Sequence, residues 1–195
     1  MDIFAIIVAA LLSQNFVLSQ FLGICPFLGV SKKPSAALGM GIAVTAVMVI
    51  TCAITYPIYA YVLVPLEIEY LQILVFILLI ASLVQILEMV LKKFSPGLYS
   101  AMGIYLPLVT TNCAILGVAK LVTVAIGGVM VMSFGEAVLS GLFYGLGFTL
   151  AIVVLSGLRG KVDKLNIAKP LRGFPITMIV ACFMAMAFYI FRYIG

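Results

Sequence analysis

The chain has 195 residues, of which 66% are hydrophobic and only 9% are charged, and its mean hydropathy is +1.35. A soluble domain carries about 25% charged residues, so this composition excludes a water-exposed globular protein and indicates a single domain embedded in a lipid bilayer. The formal net charge is +5. The basic residues are concentrated in three short loops between apolar runs, which is typical of membrane orientation signals and argues against a nucleic-acid partner.

Four cysteines and the absence of histidine limit the available chemistry. All four cysteines lie inside apolar runs, so we expect no disulfides. Without imidazole, the groups available for catalysis or ligand binding are thiols, a few carboxylates, amides and the backbone. The first apolar run follows Asp2 without a basic leader or a small-residue cleavage site, so we expect it to be a retained span and not a signal peptide.

Six apolar segments are long enough to cross a membrane, since a transmembrane helix needs about 20 apolar residues. In chain order, the predicted spans are residues 3–22, 35–56, 71–91, 98–118, 137–157 and 174–191. A seventh apolar segment, 121–135, is shorter and is broken by two consecutive glycines. We do not count this segment as a crossing.

The charge distribution supports this count. The basic loops at Lys32–Lys33, at Lys92–Lys93 and between Arg159 and Arg172 should all face the cytoplasm. An even number of spans must then separate any two of these loops, and an extra crossing at 121–135 would make that number odd. The prediction is therefore six spans, with both termini outside the cytoplasm.

A short internal repeat relates the first and fourth spans. Residues 25–32, Cys-Pro-Phe-Leu-Gly-Val-Ser-Lys, recur as residues 113–120, Cys-Ala-Ile-Leu-Gly-Val-Ala-Lys, with five of eight positions identical and an offset of 88 residues. Three spans separate the copies, so the halves 1–93 and 94–195 enter the membrane from opposite sides. The predicted fold is an all-α integral membrane protein, with six transmembrane helices arranged as two inverted three-helix repeats.

The depth of Cys25 and Cys113 predicts that the first and fourth helices are broken. In continuous helices, which rise about 1.5 Å per residue, the two sulfur atoms would differ in depth by about 20 Å. The sulfur atoms meet only if both helices are interrupted and the chain re-enters. Both segments contain residues that weaken helices: Gly23, Pro26 and Gly29 in the first, and Pro107, Asn112 and Gly117 in the fourth.

Cys25 and Cys113 are candidate metal ligands because the repeat pairs them and each lies at a predicted break. Thiolates are soft ligands that select iron–sulfur clusters, zinc or copper(I). A two-iron cluster normally requires four cysteines, so the other two would come from a second chain. The alternative is that a cysteine is a small apolar filler, which is our interpretation of Cys52 and Cys182. Thr110, Thr111 and Asn112 either donate hydrogen bonds toward cluster sulfurs or cap the broken helix.

Three functions remain open at this point: a redox relay, a secondary transporter built from inverted repeats, and a structural scaffold. A transporter would favour charged or carbonyl-rich solute ligands at the breaks, whereas this chain has cysteine at both. Glu88, the only acid well inside an apolar run, either pairs near Lys92 at the cytoplasmic interface or carries ions.

The two cysteine segments resemble a known family of membrane subunits. The sequences Phe-Leu-Gly-Ile-Cys-Pro-Phe-Leu-Gly-Val-Ser-Lys-Lys at 21–33 and Leu-Pro-Leu-Val-Thr-Thr-Asn-Cys-Ala-Ile-Leu-Gly at 106–117 carry the resemblance, together with residues 15–18, 84–89 and 170–173. The family includes the A subunit of the Rnf electron-transport complex and the E subunit of the sodium-pumping NADH:quinone reductase. The Cys-Pro-Phe form at 25–27 favours the Rnf member, and the resemblance covers essentially the whole chain.

This resemblance implies a membrane component, not catalytic alone, of an ion-translocating ferredoxin:NAD⁺ oxidoreductase in the bacterial plasma membrane. In that family, the A subunit pairs with its paralogue, the E subunit, in opposite orientation, and the two together hold one [2Fe–2S] cluster within the membrane. Carried over to this sequence, Cys25 and Cys113 are two of the four iron ligands. The cluster would relay electrons from a cytoplasmic iron–sulfur protein of the complex toward a flavin protein outside, coupled to Na⁺ or H⁺ transport. The other implied partners are the B, C, D and G subunits of the Rnf complex.

Overall fold

The computed structural model describes residues 18, 20–31, 34–63, 65, 69–94, 108–109, 111–123, 125–126, 129–130, 133–162 and 173–194. These residues form six α-helices: α1 (Ile24–Val30), α2 (Pro34–Ile58), α3 (Gln72–Phe94), α4 (Cys113–Val122), α5 (Phe134–Val162) and α6 (Phe174–Ile194). A π-helical turn, Tyr59–Leu63, continues α2, and a 3-10 turn, Glu69–Leu71, precedes α3. Two short strands, β1 (Ala125–Ile126) and β2 (Val129–Met130), pair antiparallel between α4 and α5.

The longest helices have the length and composition of membrane spans. By these criteria, α2 with its π-helical turn, α3 and α5 can each cross a bilayer, and α6 is a shorter apolar helix. Helices α3 and α6 leave many large apolar side chains exposed, including Leu74, Leu78 and Phe183. Such surfaces are stable where lipid or another membrane protein covers them.

Helices α2 and α5 form the centre of the bundle and approach closely at two glycine–threonine pairs. A Cβ atom on Gly41 would lie 2.6 Å from Cγ2 of Thr149, and one on Gly145 would lie 2.7 Å from Cγ2 of Thr45. The two threonine hydroxyl oxygens are 3.2 Å apart. Small residues at a crossing allow two backbones to approach within a membrane, where close packing replaces the hydrophobic effect as the attraction between helices.

The contacts show that α2 and α5 run antiparallel. Residue numbers rise along α2 as they fall along α5: Gly41 meets Thr149, Thr45 meets Gly145, and the ring of Tyr56 lies edge-on to Phe134 with centroids 5.8 Å apart. The reciprocal exchange of glycine and threonine creates an approximate twofold axis between the two hydroxyls. Since α2 and α5 are the second helices of the two predicted halves, this geometry supports an inverted repeat.

The twofold crossing also explains why the sequence repeat fades after its first eight residues. Gly41 and Gly145 are related by an offset of 104 residues, whereas Cys25 and Cys113 are related by 88. Helix α2 begins nine residues after Cys25, but α5 begins 21 residues after Cys113. The end of α4 and the β1–β2 ladder occupy the extra length, so one constant offset cannot align both parts.

Four predicted spans coincide with helices, and all four helices are longer than predicted. Residues 35–56, 71–91, 137–157 and 174–191 correspond to α2, α3, α5 and α6. The bases Lys92, Lys93, Arg159 and Lys161, which the sequence analysis assigned to loops, lie in the last turns of α3 and α5. That assignment was wrong because cations are favourable at a helix C-terminus and long aliphatic stems let them stay in the helix.

The remaining predicted spans are described only in part. Most of 3–22 and most of 98–118 lie outside the described residues. In the part of 98–118 that is described, α4 begins at Cys113 and continues to Val122, beyond the predicted end. The described residues of 121–135 complete α4, form β1 and β2 and begin α5. The count of six spans stays a prediction.

The α2–α5 crossing should be intolerant of one added methyl group. Gly41→Ala places its Cβ against Thr149 and should destabilise the protein by about 1–3 kcal/mol, as overpacking of a tight contact does. Gly39→Ala is the matched control on the same helix, because a Cβ there meets nothing within 4 Å. Thermal unfolding in detergent should show a lower melting temperature for Gly41→Ala alone. Equal melting temperatures would contradict the close approach.

Candidate functional site

Cys25 lies in the first turn of α1, and an irregular turn determines where this helix begins. Phe21 has a φ of 56°, and Gly23 has a φ of 82° at the N-cap, in the left-handed region that favours glycine. The backbone N–H of Phe27 donates to the Gly23 carbonyl over 3.3 Å and closes the first turn. Pro26 is compatible with this position because first-turn residues have no intrahelical acceptor for an N–H.

Cys113 is the first residue of α4, and Asn112 caps this helix. The Asn112 backbone is extended, with φ −75° and ψ 109°, and its side-chain oxygen Oδ1 accepts a hydrogen bond from the N–H of Ala114 over 3.1 Å. An asparagine at the N-cap satisfies one of the amide groups that a helix start leaves without a partner. A helix start therefore lies where the sequence predicted the break in the fourth span.

The starts of α1 and α4 are in direct contact. A Cβ atom on Gly23 would lie 2.9 Å from Oδ1 of Asn112 and 3.0 Å from Cβ of Ala114. Both the positive φ and the lack of space therefore require glycine at position 23. Gly23 precedes Cys25 by two residues and Asn112 precedes Cys113 by one, so this contact brings the two cysteine segments together.

The two cysteine helices also bury three positions of their shared motif in common. The cysteine at the first position is exposed in both copies. The residues at the second, third and sixth positions are buried in both, namely Pro26 and Ala114, Phe27 and Ile115, and Val30 and Val118. The sequence repeat is thus a repeat of environment, in which each helix anchors its apolar side in the bundle and leaves its thiol accessible from outside the chain.

A mostly apolar groove of about 480 Å³ lies beside Cys113, between α3 and α4. The polar side chains in its wall are Gln20, Gln72 and Lys120. Gln72 Nε2 donates to Oγ1 of Thr123 over 2.7 Å and so joins the start of α3 to the end of α4. The Sγ atom of Cys113 has a weak contact of 3.9 Å with the Thr111 carbonyl.

Arg159 of α5 holds the C-terminal end of α1. Its side chain is buried, and Nη1 donates to the Leu28 carbonyl over 3.2 Å and to Oγ of Ser31 over 3.0 Å. The Ser31 hydroxyl is itself 3.2 Å from the Leu28 carbonyl. A guanidinium at the end of a helix satisfies carbonyls that have no intrahelical partner and interacts favourably with the helix dipole.

The other two cysteines lie apart from this contact. Cys52 is buried in the α2–α5 interface, where its Sγ would be 2.9 Å from a Cβ on Gly141. This position agrees with the predicted packing role. Cys182 is exposed on α6 and lines a separate groove of about 230 Å³ with Ile24 of α1.

A family model described as "Rnf-Nqr subunit, membrane protein" matches residues 3–195 of this chain. The chain belongs to the Rnf-Nqr family. It is 50% identical over 188 residues to the A subunit of the Na(+)-translocating ferredoxin:NAD(+) oxidoreductase complex of Acetobacterium woodii, a match that covers 96% of this chain and 95% of that protein. It is 46% identical over 187 residues to the A subunit of the ion-translocating oxidoreductase complex of Syntrophotalea carbinolica and to that of Actinobacillus pleuropneumoniae serotype 5b, covering 96% of this chain and 94% of each relative.

The structure of this Rnf-Nqr family member brings the Cys25 and Cys113 segments together, as the repeat predicted. Binding of iron by the two thiols stays a prediction. Within the described residues, no three histidine, cysteine, aspartate or glutamate side chains form a cluster. A four-cysteine site at this position therefore needs donors from beyond the described part of the chain.

Sequence reasoning missed Arg159 because it was counted among the loop bases. The signal was present in the spacing of the buried residues of α5. Phe148, Ile152, Leu155 and Arg159 are all buried and are separated by four, three and four residues, which places them on one face of a helix. An arginine that continues such a pattern is predicted to face the bundle interior.

Removing the Arg159 side chain should loosen α1. Arg159→Ala leaves the Leu28 carbonyl and the Ser31 hydroxyl without their charged donor, at a cost of about 1–3 kcal/mol. We expect faster amide hydrogen exchange in Ile24–Val30, measured by mass spectrometry on the detergent-solubilised protein. Lys161→Ala is the control, because Lys161 is an exposed base in the same helical turn. If both variants exchange at the wild-type rate, Arg159 does not hold α1.

Proposed function

We propose that this chain is the A subunit of an Rnf-type ion-translocating ferredoxin:NAD⁺ oxidoreductase. We further propose that it contributes Cys25 and Cys113 to a [2Fe–2S] cluster shared with its paralogue, the E subunit of the same complex. The single observation that carries the cluster assignment is the contact of Gly23 with Asn112 and Ala114, which joins the two cysteine segments. The relatives named above support the type of complex, because each is named as the A subunit of an ion-translocating oxidoreductase complex.

The donor set fits half of such a cluster. Cys25 and Cys113 are both exposed and belong to helix starts that touch each other. Iron–sulfur clusters are held by four cysteine thiolates, and soft thiolates suit them. Two accessible thiols on one chain thus match a site completed by two more from a partner. When bound, the cluster supplies one-electron transfer within the membrane.

The residues of this chain would position the ligands. Asn112 caps the first turn of α4 by accepting from the N–H groups of Ala114 and Ile115, and this cap fixes the helix start at which Cys113 lies. The buried apolar faces of α1 and α4 fix the two helix starts against α2 and α5. These contacts limit movement of the thiols and exclude water from the inner side of the site.

A redox centre at this position would solve a problem of distance. The hydrocarbon core of a bilayer is about 30 Å thick, and electrons cannot cross that thickness at a useful rate in one step. A carrier held near the midplane divides the distance in two. Quasi-symmetric halves suit such a carrier, because it takes electrons from one face and passes them to the other.

The proposed topology has six spans in two inverted repeats, with both termini outside the cytoplasm in a bacterial plasma membrane. The antiparallel course of α2 and α5 supports the inversion. The bases at the ends of α3 and α5 lie at the same face if both helices run toward the cytoplasm. The B, C, D and G subunits of the complex are the further partners that this assignment implies.

Reporter fusions test the orientation. Alkaline phosphatase fused after Gly195 should be active, since it folds only outside the cytoplasm, and a green fluorescent protein fused at the same place should be dark. Fusions after Phe94, at the end of α3, should give the reverse result. Fluorescence of the Gly195 fusion would contradict the proposed orientation.

Replacing the two cysteines tests the cluster. In the complex purified with all its subunits, Cys25→Ser and Cys113→Ser should each lower the content by about two iron atoms and about two acid-labile sulfides per complex. This loss corresponds to one [2Fe–2S] cluster. Each should also abolish electron transfer from reduced ferredoxin to NAD⁺. The change from sulfur to oxygen is small in volume, so the fold should be retained.

Cys182→Ser is the matched control, because Cys182 is also exposed but lies on α6. It should keep the wild-type iron content and activity. Full iron content in Cys25→Ser or Cys113→Ser would refute the cluster assignment. Retained iron together with retained electron transfer would favour a transporter or scaffold role for this chain.

A further inference from the structure

The side-chain nitrogen of Asn112 is a buried hydrogen-bond donor with no acceptor among the described residues. Asn112 is only 4% exposed, so bulk water does not supply the missing acceptor. A buried donor without a partner costs about 1–3 kcal/mol, and native proteins rarely leave one unsatisfied. An acceptor from beyond the described part of the chain is therefore expected next to this nitrogen.

The helix cap determines which end of the Asn112 amide remains available. The N–H of Ala114 can donate only to the oxygen, so Oδ1 is committed to α4. The same oxygen packs against Gly23 of the other cysteine segment. Turning the amide over would break the cap, and Nδ2 therefore remains the free end. This donor belongs to the residue directly before Cys113 and lies in the contact between the two cysteine segments.

We infer that Nδ2 of Asn112 donates a hydrogen bond to a sulfur atom of the group that Cys25 and Cys113 hold, and thereby raises its reduction potential. This inference rests on the proposed function. Gain of one electron adds one negative charge to an iron–sulfur group, and a hydrogen-bond donor facing a sulfur stabilises the more negative form. In a low-dielectric site, this stabilisation is larger than in water.

The donor has no counterpart at the equivalent position of the first half. At the repeat offset of 88 residues, Asn112 corresponds to Ile24, which has no side-chain donor. The N-cap of α1 is Gly23, without a side-chain cap. A bond from Asn112 would therefore make the surroundings of the two cysteines chemically different, although the two helices bury three motif positions in common.

Two substitutions separate the donor from the cap. Asn112→Asp keeps an oxygen that caps α4, since aspartate and asparagine are equally good N-caps, but it replaces the donor with a negative charge. Asn112→Ala removes the donor without adding charge, and it also removes the cap. Glu136→Ala serves as the control for a lost helix-start contact, because Glu136 accepts from the Ser133 N–H at the start of α5.

The measurement is a redox titration of the purified complex followed by electron paramagnetic resonance. The signal to follow is the one that is lost in Cys113→Ser. Its midpoint potential should be lower in both Asn112→Asp and Asn112→Ala and unchanged in Glu136→Ala. A shift in only one of the two Asn112 variants would assign the effect to the added charge or to the lost cap. No shift in either variant would mean that the hydrogen bond does not form. Either result overturns the inference.

The iron content distinguishes failure of this inference from failure of the proposed function. If the wild-type complex holds the cluster but the potential does not move in the variants, only the role of Asn112 is wrong. If no signal depends on Cys113, the cluster assignment itself is wrong. Asn112→Asp should retain wild-type iron content, so the comparison remains possible even if Asn112→Ala folds poorly.

Discussion

The contact between Gly23 and Asn112 is the constraint on which the arrangement of the site depends. At this point two chain segments separated by almost ninety residues approach closely enough that no Cβ atom fits between them. Gly23 also has a positive φ, so the turn that directs the chain into α1 and the space for Asn112 depend on the same missing side chain. A larger residue would separate the starts of α1 and α4, and with them the two cysteines.

Helix α5 keeps this contact in place, because it touches α1 near both ends. The ring of Phe148 lies 3.4 Å from a Cβ on Gly23, and Arg159 binds the Leu28 carbonyl and the Ser31 hydroxyl. Phe148 and Arg159 are 11 residues apart, about 16 Å along a helix, and α1 with its caps is about 12 Å long, so the two side chains reach its two ends. The short helix therefore gains its order from α5 and not from its own seven residues, since isolated helices of that length are unstable. Helix α5 is in turn fixed by the glycine–threonine crossing with α2.

The sequence predicted those features that depend on local pattern. Apolar runs located α2, α3, α5 and α6, and the repeated octapeptide identified the two segments that meet. The twofold crossing was not predictable from one repeat offset, because the insertion between α4 and α5 shifts Gly145 out of register with Gly41. Arg159 was missed because charge was interpreted as a signal for a loop, whereas its environment depends on a contact with Ser31, 128 residues away. Contacts of that kind are set by tertiary packing and leave little trace in local composition.

The same contact shows that the two halves are similar without being equivalent. Each half presents an exposed cysteine at the start of a short buried helix, but the first half forms its turn with Gly23 and the second with the buried amide of Asn112. In the first half, the residue directly before Cys25 is Ile24, whose side chain is apolar. In the second half, the cap adds one oriented dipole beside Cys113. If both thiols hold one redox group, this dipole makes the field around the group uneven, and an uneven field gives an otherwise symmetric carrier a difference between its two sides.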